Sequence, residues 1–323
     1  MDLKRIVILS YEEIIERIRA RYSRANKSEI SRLQTIYNIV TSSTQSVEEL
    51  SDVLRGLHSF YWKLIEIEFN RSNVEEALRC VTRARRLSKK FWEKYRYLIL
   101  ASTSRESRKV LREGRGRILS LYKRCRRHLL LLKNLIVYLQ RLPSINPEEP
   151  ILIVAGPPNV GKSTFVRSIS TGKPEIANYP FTTKHITVGH RDYGRFKLQV
   201  IDTPGLLDRP VEEMNIIERR AIAALGELKG IILFLIDPSD QSHMDINRQF
   251  RIIENIVEVL ADKPLFIGIN KVDIASKERI EEALMKAEEL KAKGIALNIY
   301  KLSALNREDA SNVVDDIVSK CKL

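Results

Sequence analysis

The sequence predicts two unlike domains in tandem. An all-α helical bundle is expected over residues 1–141, and an α/β domain over residues 151–323, built on a mostly parallel six-stranded sheet with helices on both faces. Three observations carry this. Apolar residues recur at helical spacing through the first domain, as at Ile14, Ile18 and Tyr22 and at Leu50, Leu54, Leu57 and Tyr61. The segment 142–150 then carries Pro143, Pro147 and Pro150, each of which fixes φ and removes a backbone donor, so a linker is expected there. Beyond it, short apolar runs alternate with helical segments, the pattern of a parallel sheet covered on both faces.

Taken in order, helices are expected near 10–25, 28–42, 46–69, 73–100 and 106–140. Ser10 with Glu13 and Ser46 with Glu49 have the capping-box pattern, and Asn73 is a plausible helix start. Gly114 and Gly116 weaken the last helix. Such long helices with brief turns make a bundle. The aromatic residues Phe60, Tyr61, Trp62, Phe91 and Trp92 fall mostly on apolar faces, which assigns them to packing rather than to stacking on bases. Strands are expected at Ile151–Ala155, Lys197–Ile201, Ile231–Ile236, Leu265–Ile269 and Asn298–Leu302, with Lys184–Tyr193 at an edge.

The formal net charge of +14 is unevenly placed. Residues 1–150 hold 31 Lys+Arg against 17 Asp+Glu, and residues 151–323 hold 24 of each. The whole excess lies in the helical half, an electrostatic footprint for a phosphate-rich partner. Arg79, Arg83, Arg86, Lys90 and Lys94 share one helix face, and Arg115, Arg117, Lys123, Arg124, Arg126 and Arg127 form a second dense set. The three cysteines, Cys80, Cys125 and Cys321, are too scattered for a metal site or a disulfide framework, so reduced thiols are expected. The apolar run Leu129–Leu139 is about half the length of a membrane span. With no signal-peptide pattern at the start, a cytoplasmic, monomeric protein without a membrane partner is expected.

Five segments carry the chemistry. Gly156–Ser163 fits G-x-x-x-x-G-K-[ST] between a strand and a helix, a loop whose inward N–H groups cradle phosphates at a helix N-terminus. Asn159, Val160, Gly161, Lys162, Ser163 and Thr164 are assigned to the phosphates, with Lys162 reaching the β- and γ-phosphates and Ser163 ligating Mg²⁺. Asp202-Thr-Pro-Gly205 ends a strand; its carboxylate can hold the same metal and the Gly205 N–H can sense the γ-phosphate. Thr182 and Thr183 lie in a segment that can close over the metal, and spacing does not choose between them. In Asn270-Lys271-Val272-Asp273 the Asp273 carboxylate can accept two hydrogen bonds from guanine, a pair adenine does not offer. Lys271 can lie on the base plane, Asn270 can tie the base loop to the phosphate loop, and Ser303-Ala304 can offer a backbone N–H to guanine O6. GTP and GDP are the ligands this set implies, and the α/β half is expected to be a P-loop GTPase domain.

These residues resemble the Obg-related branch of GTPases and, within it, the nucleolar GTP-binding protein family in its short archaeal form, without the long C-terminal extension of eukaryotic members. The resemblance rests on GPPNVGKS (156–163), YPFTTKHITVGH (179–190), DTPG with NIIERRAIAAL (215–225), and NKVD. Upstream it rests on LHSFYWKL (57–64), GRGRILSLYKR (114–124) and LPSINPEEP (142–150). It implies that Thr183 is the metal ligand, and it implies a role in assembling the large ribosomal subunit, the helical domain contacting rRNA or its precursor particle.

Many small GTPases place a glutamine directly after D-x-x-G to orient the attacking water. Here the residue is Leu206, which cannot hydrogen-bond. Catalysis is therefore assigned to Lys162, Thr183, Gly205 and Asn159. In several GTPases with the same substitution an asparagine at the position of Asn159 helps bind K⁺, which implies slow, K⁺-stimulated turnover; the alternative is that Asn159 only hydrogen-bonds within the loop. Two other readings stay open: a GTP-dependent scaffold with little hydrolysis, and an Obg-like ribosome-associated regulator of stress or translation.

Overall fold

The computed structural model describes residues 5–22, 28–178, 185–203, 207–208, 211–260 and 262–323. The chain divides into two compact units, one comprising residues 1–57 and 68–140, the other 58–67 and 141–323.

The first unit is built from helices α1 (Tyr11–Tyr22), α2 (Glu29–Ser42), α3 (Val47–Arg55), α5 (Arg71–Leu100), α6 (Ser104–Arg124) and α7 (Arg126–Leu139). Its core holds Ile14, Leu33, Ile36, Leu50, Val81 and Ile118, all fully buried. The capping box at Ser10 forms: the Ser10 amide donates to Glu13 Oε2 at 2.9 Å and the Glu13 amide to Ser10 Oγ at 3.3 Å. The one expected at Ser46 does not, since Ser46 makes no side-chain cap. α5 starts a turn earlier than expected, because Asn70 Oδ1 accepts the Ser72 amide at 2.9 Å. α6 runs unbroken through Gly114 and Gly116, and the interruption falls at Cys125 instead.

The expectation of scattered, reduced thiols is corrected here. Cys80 and Cys125 form a disulfide with Cα atoms 6.0 Å apart. α5 and α6 are antiparallel helices joined at residues 101–103, and the two cysteines lie almost equally far from that turn. Residues 45 apart in sequence thereby become neighbours. Cys321 stays free.

The helix expected over 46–69 breaks at Gly56, Leu57 and His58, and its second half, α4 (Ser59–Glu68), goes with the second unit. A hydroxyl explains why. Tyr61, 6% exposed, donates to Ile145 O at 2.7 Å and accepts from the Ile145 amide at 3.0 Å, so the proline-rich segment is bound to α4. Gln199 holds that segment on its other side, accepting from the Asn146 amide at 2.8 Å and donating to Asn146 O at 2.7 Å. The stretch expected as a linker is thus pinned to the second unit. Phe60, Tyr61 and Trp92 are buried, and Trp92 stacks on Tyr37, in line with a packing role. Trp62 and Phe91 are half-buried.

The second unit is an α/β sandwich. In chain order it holds β1 (Ile151–Ala155), α8 (Lys162–Ile169), β2 (Glu175–Asn178), β3 (His185–Asp192), β4 (Lys197–Asp202), α9 (Ile216–Gly226), β5 (Gly230–Ile236), α10 (Ile246–Val259), β6 (Leu265–Ile269), α11 (Lys277–Ala292), β7 (Asn298–Lys301) and α12 (Arg307–Lys320). The sheet has seven strands in the order β2-β3-β4-β1-β5-β6-β7. β4, β1, β5, β6 and β7 are mutually parallel. β2 and β3 pair antiparallel, and β3 pairs antiparallel with β4. The expected edge strand is therefore second from the edge, and β2, a short polar strand with little periodicity, was not foreseen. β1 and β5 are buried throughout, as strands covered on both faces must be. Among the described residues, no helix is long and apolar enough to cross a membrane.

Candidate nucleotide-binding site

Parallel strands bring their carboxyl ends to one edge of the sheet, where ligands of such folds bind. The ends of β1, β4, β6 and β7 carry the phosphate loop, Asp202, the Asn270–Asp273 segment and Ser303–Ala304. β1 sits between β4 and β5, with Val154 opposite Asp202, so the phosphate loop and the aspartate strand meet by register alone.

The loop from Gly156 to Gly161 depends on two glycines. Gly156 has φ +136° and a Cβ there would lie 2.4 Å from Leu235 O; Gly161 has φ +100° and a Cβ there would lie 2.4 Å from Asn270 Nδ2. Asn159 has φ 64°, a left-handed conformation that asparagine tolerates, and its side chain is exposed. Lys162, 6% exposed, folds over the loop and donates from Nζ to Gly156 O at 2.7 Å and Pro157 O at 2.8 Å. Thr164 follows, half-buried, in the first turn of α8.

Ser163 Oγ donates to Asp202 Oδ2. Asp202 is fully buried, and its other oxygen, Oδ1, has no hydrogen-bond partner among the described residues. Burial pushes this carboxyl above its ordinary range, against the pull of the Ser163 hydroxyl and the charges of Lys162 and Arg167. A buried carboxylate oxygen without a donor, beside a serine hydroxyl, is a pair of hard oxygen ligands that fits a divalent cation such as Mg²⁺. Thr183, expected as a third ligand, lies outside the described residues, as do Thr182, Gly205 and Leu206.

Asn270, 1% exposed, joins three loops. Its Nδ2 donates to Val160 O at 2.6 Å, its Oδ1 accepts the Ala304 amide at 2.7 Å, and its own amide donates to Ile236 O at 2.8 Å. The Ala304 N–H expected for guanine O6 is therefore committed to Asn270, and the Ser303 amide donates to Asp309 Oδ2 at 3.3 Å. Asp273 is exposed at the loop's end.

Lys271, with φ 60°, is held by residues the sequence did not single out. Its Nζ lies 2.6 Å from Asp237 Oδ2, and Asp237 is 2% exposed. Asp237 Oδ1 also accepts the Ser239 amide at 2.9 Å and hydroxyl at 2.6 Å. Gln249, fully buried, clasps the Asp237 backbone: Oε1 accepts its amide at 2.9 Å and Nε2 donates to its carbonyl at 2.8 Å. The available signal was a polar residue placed directly after the apolar strand β5, at the same edge of the sheet.

In the first unit, all members of the two basic sets are exposed. Arg79 reaches Glu75 at 4.0 Å, Arg126 pairs with Glu12, and Arg115 lies over the Tyr22 ring. Arg83, Arg86 and Lys90 pair with no carboxylate among the described residues.

The fold and the site define a class: a P-loop GTPase domain preceded by an all-α domain. Comparison with known proteins agrees for each half. The family described as the NOG1 N-terminal helical domain matches residues 8–146, and the family described as a 50S ribosome-binding GTPase matches residues 151–271. The nucleolar GTP-binding protein 1 of Caenorhabditis elegans is 36% identical over 303 residues, covering 93% of this chain and 43% of the relative. That of Drosophila melanogaster is 36% identical over 83% of this chain and 40% of its own length, and that of Saccharomyces cerevisiae 33% identical over 78% and 40%. The chain belongs to the nucleolar GTP-binding protein family. It spans about two fifths of the length of the curated relatives it matches. These relatives are named as nucleolar proteins, which overturns the cytoplasmic location expected from the sequence.

Proposed function

We propose that the chain is a GTP-binding and GTP-hydrolysing switch that acts in assembly of the large ribosomal subunit, its helical unit contacting rRNA. The observation that carries the nucleotide half is the Asn270 tie, which locks the phosphate loop, the Lys271–Asp273 loop and the Ser303–Ala304 loop into one frame. In this reading Lys162 exchanges the Gly156 and Pro157 carbonyls for the β- and γ-phosphates. The Gly161, Lys162, Ser163 and Thr164 amides cradle the phosphates at the N-terminus of α8. When bound, Mg²⁺ supplies positive charge to the phosphates; Ser163, Asp202 and Thr183 would hold it. Asp273 accepts from guanine N1–H and N2–H₂, and Asp237 keeps Lys271 along the base. Gly205 senses the γ-phosphate through its amide. The ribosomal half of the proposal is supported by the one-sided basic charge, by the 50S ribosome-binding description of the matching family, and by the names of the relatives.

The base-reading role has a direct test. Asp273→Asn reverses the hydrogen-bond polarity toward N1 and N2, so affinity shifts from GTP toward xanthosine triphosphate. Full guanine selectivity in that variant would show the assignment to be wrong. Turnover is proposed to be slow and faster in KCl than in NaCl at saturating Mg²⁺, with Asn159 helping to hold K⁺. Equal steady-state rates in the two salts would remove the potassium role without touching the GTPase reading.

A further inference from the structure

The disulfide in the first unit has a third member. Cys80 in α5, Cys125 between α6 and α7, and His128 in the first turn of α7 place their two sulfurs and a ring nitrogen within 4.8 Å of one another. His128 Nε2 lies 3.8 Å from Glu76 Oε1, and Glu76 stands one helical turn before Cys80. The other nitrogen, His128 Nδ1, is buried with no hydrogen-bond partner among the described residues. A proton on Nε2, facing the carboxylate, leaves a lone pair on Nδ1 with nothing to accept. The ring therefore combines a buried nitrogen that lacks a partner among the described residues with a nitrogen within 4.8 Å of two sulfurs, which is what a metal ligand requires. Carboxylate, imidazole and metal in line is how proteins fix a histidine ligand's tautomer.

We infer that, once the disulfide is reduced, Cys80, Cys125 and His128 form a zinc site, with Glu76 orienting the imidazole or completing the shell. Two thiolates and one imidazole are a soft donor set, and with Glu76 or a water as the fourth ligand they make the tetrahedral shell that selects Zn²⁺ over hard cations. The chemistry balances. An added dithiol is oxidised to its own disulfide as the Cys80–Cys125 bond is reduced to two thiols. Zn²⁺ then binds the sulfurs and releases their two protons. Either state fastens α5 to the corner between α6 and α7, between the two basic sets. The cross-link there is covalent under oxidising conditions and metallic under reducing ones. This inference is independent of the nucleotide site.

The test uses the full chain, reduced with a dithiol, freed of it under argon, and titrated with Co²⁺ alone. One equivalent per chain is expected, with a thiolate-to-cobalt charge-transfer band and the ligand-field bands of a tetrahedral site, both removed by one equivalent of Zn²⁺. The oxidised chain takes up none. Cys321→Ser leaves uptake unchanged, Glu76→Gln weakens it roughly 10- to 100-fold, and His128→Ala weakens it at least tenfold with helical circular dichroism unchanged. Alkylating the reduced native chain abolishes uptake without any substitution that could disturb folding. No charge-transfer band in the reduced chain, or uptake indifferent to both alkylation and His128→Ala, overturns the inference.

Discussion

At the scale of single residues, the decisive atoms are buried polar ones, and their partners are loops rather than neighbours in sequence. Asn270 is an example. Its carboxamide satisfies Val160 O and the Ala304 amide at once. An orphaned buried polar group costs about 1–3 kcal/mol. Asn270→Ala therefore destabilises the nucleotide-free protein by about 2–6 kcal/mol, since it strands two groups. Asp273, exposed on the same loop, has no such duty, and Asp273→Asn should stay within about 0.5 kcal/mol of the parent. Urea unfolding without nucleotide measures both. If Asn270→Ala unfolds at the parent's midpoint, the carboxamide is not what holds the loops together. The sequence made Asn270, Lys162, Ser163 and Asp202 legible because their chemistry is local to a strand end. Asp237 and Gln249 were not legible: their partners lie at positions no periodicity links, and a buried glutamine reads as a surface residue until a backbone is placed against it.

At the scale of elements, helical periodicity found the segments but not their interruptions or allegiances. The helices break at 56–58 and at Cys125, and α4 belongs to the second unit, where the Tyr61 hydroxyl donates to Ile145 O and Lys63 pairs with Glu227. The glycines of α6 show how misleading propensity alone can be. Both lower helix propensity, yet neither ends the helix. A Cβ at Gly114 would lie 2.9 Å from Tyr95 Cγ and 3.0 Å from Tyr95 Cβ, whereas a Cβ at Gly116 meets nothing within 4 Å. Alanine is worth about 1 kcal/mol over glycine inside a helix, but overpacking costs about 1–3 kcal/mol. Gly116→Ala should therefore stabilise the bundle by up to about 1 kcal/mol. Gly114→Ala should be neutral to destabilising by about 2 kcal/mol, because the clash involves the root of the tyrosine side chain rather than its mobile end. In thermal melts Gly116→Ala should raise the midpoint while Gly114→Ala leaves it unchanged or lowers it, and a matching rise in both would mean that α5 and α6 are not in close contact at Tyr95.

At the scale of the molecule, the charge split is the feature that the GTPase site does not account for. A domain needs no excess of cations to fold, and net charge of one sign opposes compaction. Arg83, Arg86 and Lys90 are exposed, share one helix face and pair with no carboxylate among the described residues. If they grip phosphates, binding to large-subunit rRNA releases counterions, and log affinity falls linearly with log salt. Each phosphate contact contributes about 0.7 to 0.9 to that slope. Replacing all three with serine should therefore reduce the slope by about 2 to 3, with little effect on GTP affinity, since none of them belongs to the nucleotide site. The measurement is a filter-binding or anisotropy titration of the same rRNA fragment at several KCl concentrations, for parent and variant, each with GDP and with a non-hydrolysable GTP analogue. An unchanged slope would mean that this helix face is solvated and that RNA, if bound, is bound elsewhere. A slope that falls equally with both nucleotides would make the face a constitutive anchor. A slope that falls only with the GTP analogue would make it the output of the switch.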